Sequence, residues 1–112
     1  LHVFINLPMD VYVKLMELTA CMLGNSSSAI REGAFLGTPA VNIGSRQDGR
    51  VRGQNVVDVA YDRKAIVAAI QERMGQGDIP GDTAYGDGHA SEKIAAILAD
   101  SGPIPTQKRI CY

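Results

Sequence analysis

Residues 20–43, ACMLGNSSSAIREGAFLGTPAVNI, place two apolar runs on either side of a hydroxyl cluster and a periodic segment. Ala20-Cys21-Met22-Leu23 is a continuous apolar run halted by Gly24-Asn25, which suits a strand of a parallel sheet buried on both faces. Ser26-Ser27-Ser28 follows as a cluster of helix-capping residues, and behind it Ile30, Ala34 and Phe35 recur at i, i+4 and i+5. The spacing predicts one helix of about ten residues with Gly37 as its C-cap. Thr38-Pro39 then opens another strand, Ala40 to Ile43, stopped by Gly44. Strand, helix and strand thus succeed one another with short connections, the pattern of a parallel crossover unit.

The same alternation continues on both sides. Upstream, His2-Val3-Phe4-Ile5 is a β-type run ended by Asn6-Leu7-Pro8, and Val11, Leu15 and Leu18, with Val13 and Met16, predict a helix over about 9–19. Downstream, residues 44–55, GSRQDGRVRGQN, form a polar loop with three glycines and three arginines. Val56-Val57-Asp58-Val59 is a further strand, and Asp62 caps a helix whose stripe of Ile66, Val67, Ile70 and Met74 ends near Gly75. A glycine-rich stretch over about 75–89 leads to a last helix opened by Ser91, carrying Ile94, Ile97 and Leu98, and broken at Gly102-Pro103. The expected class is α/β: a Rossmann-like parallel sheet with flanking helices, half of a doubly wound architecture. Residues 1–103 form one lobe, and residues 104–112 a C-terminal tail.

One hundred and twelve residues suffice for one such domain and not for a complete two-domain enzyme. With 46% hydrophobic residues, 21% charged residues and a mean hydropathy of −0.01, the chain has the composition of a domain with a core. Eleven basic and twelve acidic residues leave a net charge of −1, so no global field attracts nucleic acid or an anionic membrane surface. No apolar run approaches the roughly 18–20 residues of a membrane span, and no signal peptide is evident, which makes the cytoplasm the expected location. Cys21 and Cys111 lack CxxC or metal-ligand spacing; Cys21 is expected to be buried, and no metal or other cofactor is implied. Leu1 is not an initiator methionine and HVFIN reads like the middle of a strand, so the chain is expected to begin inside a longer polypeptide.

In doubly wound sheets ligands bind beyond the carboxyl ends of the strands, which singles out two turns, Gly24 to Ser28 and Gly44 to Gly53. A glycine followed by three hydroxyl residues at a helix start can present backbone N–H groups and hydroxyls to a phosphate, although plain N-capping uses the same residues. Asn25 also suits a left-handed turn position with no ligand. Glu32, about one and a half turns into the helix, can accept hydrogen bonds from a ribose diol, or pair with Arg31. Arg46, Arg50 and Arg52 concentrate charge beside the serine turn, which favours an anion contact for at least one of them over simple solvation. Tyr85, Asp87 and His89 fit a turn before a helix better than acid-base chemistry, and Asp10 and Asp62 fit helix starts better than a carboxylate pair.

The run GNSSSAIREGAFLGTPAVNIGSRQDGR, followed by RGQNVVDV and YGDGHA, resembles the C-terminal part of the hydrolysing UDP-N-acetylglucosamine 2-epimerases. That group includes the bacterial enzymes of sialic acid synthesis and the epimerase half of the animal bifunctional epimerase/kinase. The resemblance runs from about Asn6 to the end and is densest over 24–59; RQxGR favours the hydrolysing branch. It implies a two-lobed GT-B type fold with UDP held mainly by the C-terminal lobe. By resemblance Ser26 and Ser27 meet the diphosphate, Glu32 the ribose hydroxyls and Arg46 the substrate, while Leu7 offers a backbone contact near the uracil. Ala29 departs from the family, which often has Gly there; its added methyl either crowds the diphosphate slightly or is harmless. The implied reaction converts UDP-GlcNAc and water to N-acetylmannosamine and UDP, by elimination across C1–C2 and then hydration. The acid-base residues of that chemistry precede this segment, so no catalytic residue falls in the chain, which by itself is expected to bind UDP weakly and turn over nothing. The N-terminal lobe of the same enzyme is the implied partner, and a homo-oligomer the implied full-length state. The donor lobe of a GT-B glycosyltransferase, or a stand-alone nucleotide-binding module, would share the same phosphate and ribose features.

Overall fold

A computed structural model describes residues 1–102, so the expected tail at 104–112 and Cys111 lie outside the described residues. The elements in chain order are α1 (Met9–Leu18), β1 (Met22–Gly24), α2 (Ser27–Ile30), α3 (Glu32–Leu36), β2 (Ala40–Ile43), β3 (Val56–Val59), α4 (Arg63–Gly75) and α5 (Ala90–Asp100). The three strands form one parallel sheet in the order β1-β2-β3, which is the Rossmann-like α/β arrangement expected from the alternation. Met22, Ala40 and Val56 stand in one row across the sheet, and Gly24, Asn42 and Asp58 in the row at its carboxyl end. α2 packs on β2, α4 on β2 and β3, and α1 on α3.

The core follows from that register. Ala29 and Ile30 of α2 pack on Ala40 and Val56, with Met22 against the cluster. Ile30 is wholly buried, a contribution of about 1.5–3 kcal/mol for a side chain of its size. The Ala29 methyl belongs to this core, so it faces packing partners and does not crowd the exposed Ser26. A second binding agent is polar: Asn55, just before β3, donates from Nδ2 to the carbonyls of Ala29 and Thr38, both at 2.9 Å. Thr38 in turn donates from Oγ1 to the Met16 carbonyl at 3.1 Å and so joins α1 to the entrance of β2.

Several expectations are corrected. Residues 2–5 form no strand; β propensity reflects fit to a pleated, half-buried surface, and among the described residues β1 pairs only with β2, so Val3, Phe4 and Ile5 stay exposed. The single helix expected after the serines is two, divided at Arg31 where φ is −92° and ψ −73°. The division falls where the Asn55 amide takes the Ala29 carbonyl, an insertion of a side chain into the helical ladder. α1 buries Met16 while Val11, Leu15 and Leu18 face outward, because only the side packed on α3 is covered. α4 buries Ala69 and half-buries Ile66 and Ile70, leaving Val67 and Met74 exposed. α5 starts at Ala90, one residue before Ser91, with His89 at its N-cap position. Cys21 is half-buried, and that burial, against weaker opposition from a Val41 backbone hydrogen bond and the Arg73 charge, raises its thiol above the usual range.

Gly37 is a C-cap as expected, with φ of +70° in the left-handed region. A Cβ at this position would also collide with the backbone carbonyl of Ile79, because the segment around Gly81 lies directly against the end of α3. Gly37→Ala is therefore expected to cost at least about 1–2 kcal/mol from the backbone conformation alone. A urea unfolding midpoint unchanged by the substitution would contradict this account.

Candidate nucleotide site

β1 and β2 run parallel with Gly24 opposite Asn42, so the turn after β1 and the loop after β2 leave the sheet at the same edge. Gly24 has φ of +146°, and the space where a side chain would project is open. Ser26 then caps α2: its Oγ accepts from the Ser28 backbone N–H at 3.3 Å and donates to the Ser28 hydroxyl at 3.3 Å. The capping role weighed for these serines is thus present, carried by Ser26, whose side chain remains exposed. Ser27, the first residue of α2, is partly exposed.

The loop after β2 is tied at both ends. Gly44, with φ of +77°, accommodates the Tyr61 ring where a Cβ would stand, and its N–H donates to the Val59 carbonyl at 2.8 Å. Arg52 grips Asp58, with Nε at 3.1 Å from Oδ2 and Nη2 at 3.3 Å from Oδ1, while its Nη1 donates to the Arg50 carbonyl at 2.7 Å. Asn42 completes the clamp by donating from Nδ2 to Asp58 Oδ1 at 2.6 Å. Among the described residues Arg46 and Arg50 enter no ion pair, so of the three arginines Arg52 is committed to the fold and the other two keep their guanidinium groups for solvent or an anion. Between the loop and the serine turn stands a single bridge. Gln47, 4% exposed, donates from Nε2 to the Asn25 carbonyl at 2.7 Å.

Burial alone would raise the Asp58 carboxyl, but hydrogen bonds from Asn42 and Arg52 and the Arg52 charge outweigh it and hold the group below the usual carboxylate range. A carboxyl depressed in the folded state contributes stability that is fully present above the unfolded value, about pH 4, and is lost as pH falls through the lower folded value. The stability advantage of the protein over Asp58→Asn is therefore expected to shrink as pH falls below about 4. Denaturant melts at intervals across that range measure it, and a constant difference would rule the clamp out.

Glu32 stands at the first turn of α3 and lines a cavity of about 610 Å³ with Arg31, Phe35, Asp82, Tyr85 and Ser91. Its contact with Arg31 is long, 3.9 Å between Nη2 and Oε1, which is too weak to occupy the carboxylate. Tyr85 closes this cavity from the second glycine-rich stretch and donates its hydroxyl to the Val51 carbonyl at 2.9 Å, linking that stretch to the arginine loop. Leu7 lines a different cavity, with Phe4, Ile5, Asn6, Met9 and Tyr12. The structure thus brings the turn of Ser26 and Ser27 together with the loop of Arg46, while Glu32 and Leu7 line separate cavities. Asp87 and His89 stand at a helix start, as expected, and Glu92 and Lys93 join them: Asp87 accepts from the His89 N–H at 3.1 Å and from Lys93 at 2.6 Å, and His89 meets Glu92 at 2.8 Å. Among the described residues no three His, Cys, Asp or Glu gather to hold a metal, and no helix is long and apolar enough to cross a membrane.

Sequence comparison adds a family to this geometry. The profile of UDP-N-acetylglucosamine 2-epimerase matches residues 1–99. The chain is 43% identical over 87 residues, 78% of its length and 23% of the relative's, to a UDP-N,N'-diacetylbacillosamine 2-epimerase (hydrolyzing) of Legionella pneumophila. It is 51% identical over 55 residues, 49% of its length and 14% of the relative's, to a GDP/UDP-N,N'-diacetylbacillosamine 2-epimerase (hydrolyzing) of Campylobacter jejuni. A UDP-N-acetylglucosamine 2-epimerase of Neisseria meningitidis is 28% identical over 111 residues, 95% of this chain and 29% of that protein. The chain spans less than a third of the length of each of these relatives.

Proposed function

Since this chain belongs to the UDP-N-acetylglucosamine 2-epimerase family, we propose that it is the UDP-holding part of the C-terminal, GT-B type lobe of a hydrolysing 2-epimerase. The observation that carries the reading is the shared carboxyl edge of β1 and β2. From it the serine turn and the arginine loop emerge together, bridged by Gln47, with Arg46 exposed next to that bridge in sequence and in no ion pair among the described residues. Ser26 and Ser27 donate to the diphosphate, Arg46 neutralises it, Glu32 accepts from the ribose hydroxyls, and the Leu7 backbone meets the uracil once the enzyme closes around its substrate.

In the elimination a base removes the C2 proton, its electron pair forms the C1–C2 double bond, and the C1–O bond breaks with UDP leaving as an anion. Water then adds to the unsaturated sugar. The residues of this chain act on the leaving group: donors already in place where negative charge builds up on UDP lower the barrier to C1–O cleavage. None of them handles the proton, so the 112-residue chain by itself binds UDP and carries no turnover.

The sugar is an N-acetylated hexose on UDP. Identity of 43–51% to relatives named for N,N'-diacetylbacillosamine, against 28% to one named for N-acetylglucosamine, favours the diacetylated sugar as a second reading. Calorimetry of UDP against the chain tests the site, and the absence of binding at millimolar nucleotide would overturn it. Turnover of both UDP-sugars by an enzyme containing this segment, with product stereochemistry read by NMR, decides the sugar.

A further inference from the structure

Gln47 is an unusual investment for a loop. It is 4% exposed, its Nε2 is used on the Asn25 carbonyl 22 residues away, and its Oε1 is buried without a hydrogen-bond partner among the described residues. A buried acceptor left unpaired costs about 1–3 kcal/mol, a cost that Asn42 and Asn55 also carry at their own Oδ1 atoms while their amide nitrogens tie distant segments together. The geometry gives Gln47 a spatial task. It follows Arg46 directly, and the carbonyl it holds directly precedes Ser26, so one bond of 2.7 Å ties the backbone that carries the cation to the backbone that carries the hydroxyl turn. Local turns make it rigid: Asp48 N–H donates to the Ser45 carbonyl at 3.0 Å and Arg50 N–H to the Gln47 carbonyl at 3.3 Å. Arg52, clamped on Asp58, holds the far side of the same loop.

We propose that Gln47 is a positioning residue that locks the arginine loop to the serine turn, so that Arg46 and Ser26 converge on one diphosphate. The proposal rests on the nucleotide reading above and assigns Gln47 no contact with the nucleotide. An unlocked loop must be ordered when the anion binds, and that ordering is lost from affinity.

Gln47→Met keeps the length and removes the donor; Gln47→Asn keeps the amide but falls short of Asn25. Each is expected to weaken UDP binding by about tenfold; the urea midpoint of Gln47→Met should stay close to that of the parent, while that of Gln47→Asn should fall, because its buried amide loses the partner of its donor. In an Arg46→Ala background Gln47→Met should cost less than about threefold, because the group it positions is gone. Hydrogen exchange without nucleotide should quicken at the amides of 24–28 and 44–48 and stay unchanged in α4. Undiminished UDP affinity, full additivity with Arg46→Ala, or loss of folding in both variants would overturn the proposal. If the parent chain binds no UDP the nucleotide reading fails on its own, and unaltered exchange at both turns would then separately sink the lock.

Discussion

Asn55→Ala is expected to lower the unfolding free energy by about 2–4 kcal/mol, a large effect for a single polar substitution. Two backbone carbonyls, of Ala29 and Thr38, lose their shared donor, and both residues are buried, so little solvent can take its place. Each lost bond costs about 1 kcal/mol, and each carbonyl stranded in the interior adds a desolvation penalty on the same scale. A side-chain-sized void enlarges the loss. Asn55→Asp, similar in shape, should be at least as damaging, since a carboxylate offers these carbonyls no proton. Urea denaturation followed by circular dichroism measures both; a shift in midpoint equivalent to less than about 0.5 kcal/mol for Asn55→Ala would show that the three elements do not depend on this amide.

For binding, the largest effect is expected from Arg46→Ala, with UDP affinity falling about 10–100-fold, the equivalent of about 1.5–3 kcal/mol for charge-assisted hydrogen bonds. Arg46 is exposed and makes no ion pair within the described residues, so stability should not change. Ser26→Ala behaves differently because its hydroxyl also caps α2: it should lose both affinity and about 0.5–2 kcal/mol of stability. Raised salt should weaken the parent complex more than the Arg46→Ala complex. Isothermal calorimetry with UDP at two ionic strengths reads all of this, and equal affinities for parent and both variants would remove the site from this edge of the sheet.

The strands at 40–43 and 56–59, the Asp62 cap and the Gly37 terminus were legible because each depends on neighbours close in sequence. So was the adjacency of the two turns, since parallel strands place their exit loops at a common edge. What stayed hidden depends on partners far along the chain. Asn55 and Gln47 sit in a stretch whose glycines and arginines announce a solvated loop, yet both side chains are interior. Their signal is tertiary: Asn55 reaches 26 residues back and Gln47 22. Periodicity likewise marks Val11, Leu15 and Leu18 as apolar without telling which side of α1 finds a partner, and it marks residues 2–5 as β-type without supplying the strand beside them.

The parallel register has a consequence for how this chain folds in time. No two neighbouring strands are joined by a tight turn, so no hairpin can form early and template the rest. Every row of the sheet, Met22 with Ala40 and Val56 among them, waits on the closure of a crossover, and the entropy of that closure is spent before any ladder bond forms. The Asn55 amide, which needs α2, the start of β2 and its own loop all in place, joins only when both crossovers have closed. Refolding should therefore be a slow, single event, with the short helices flickering beforehand and the sheet arriving all at once.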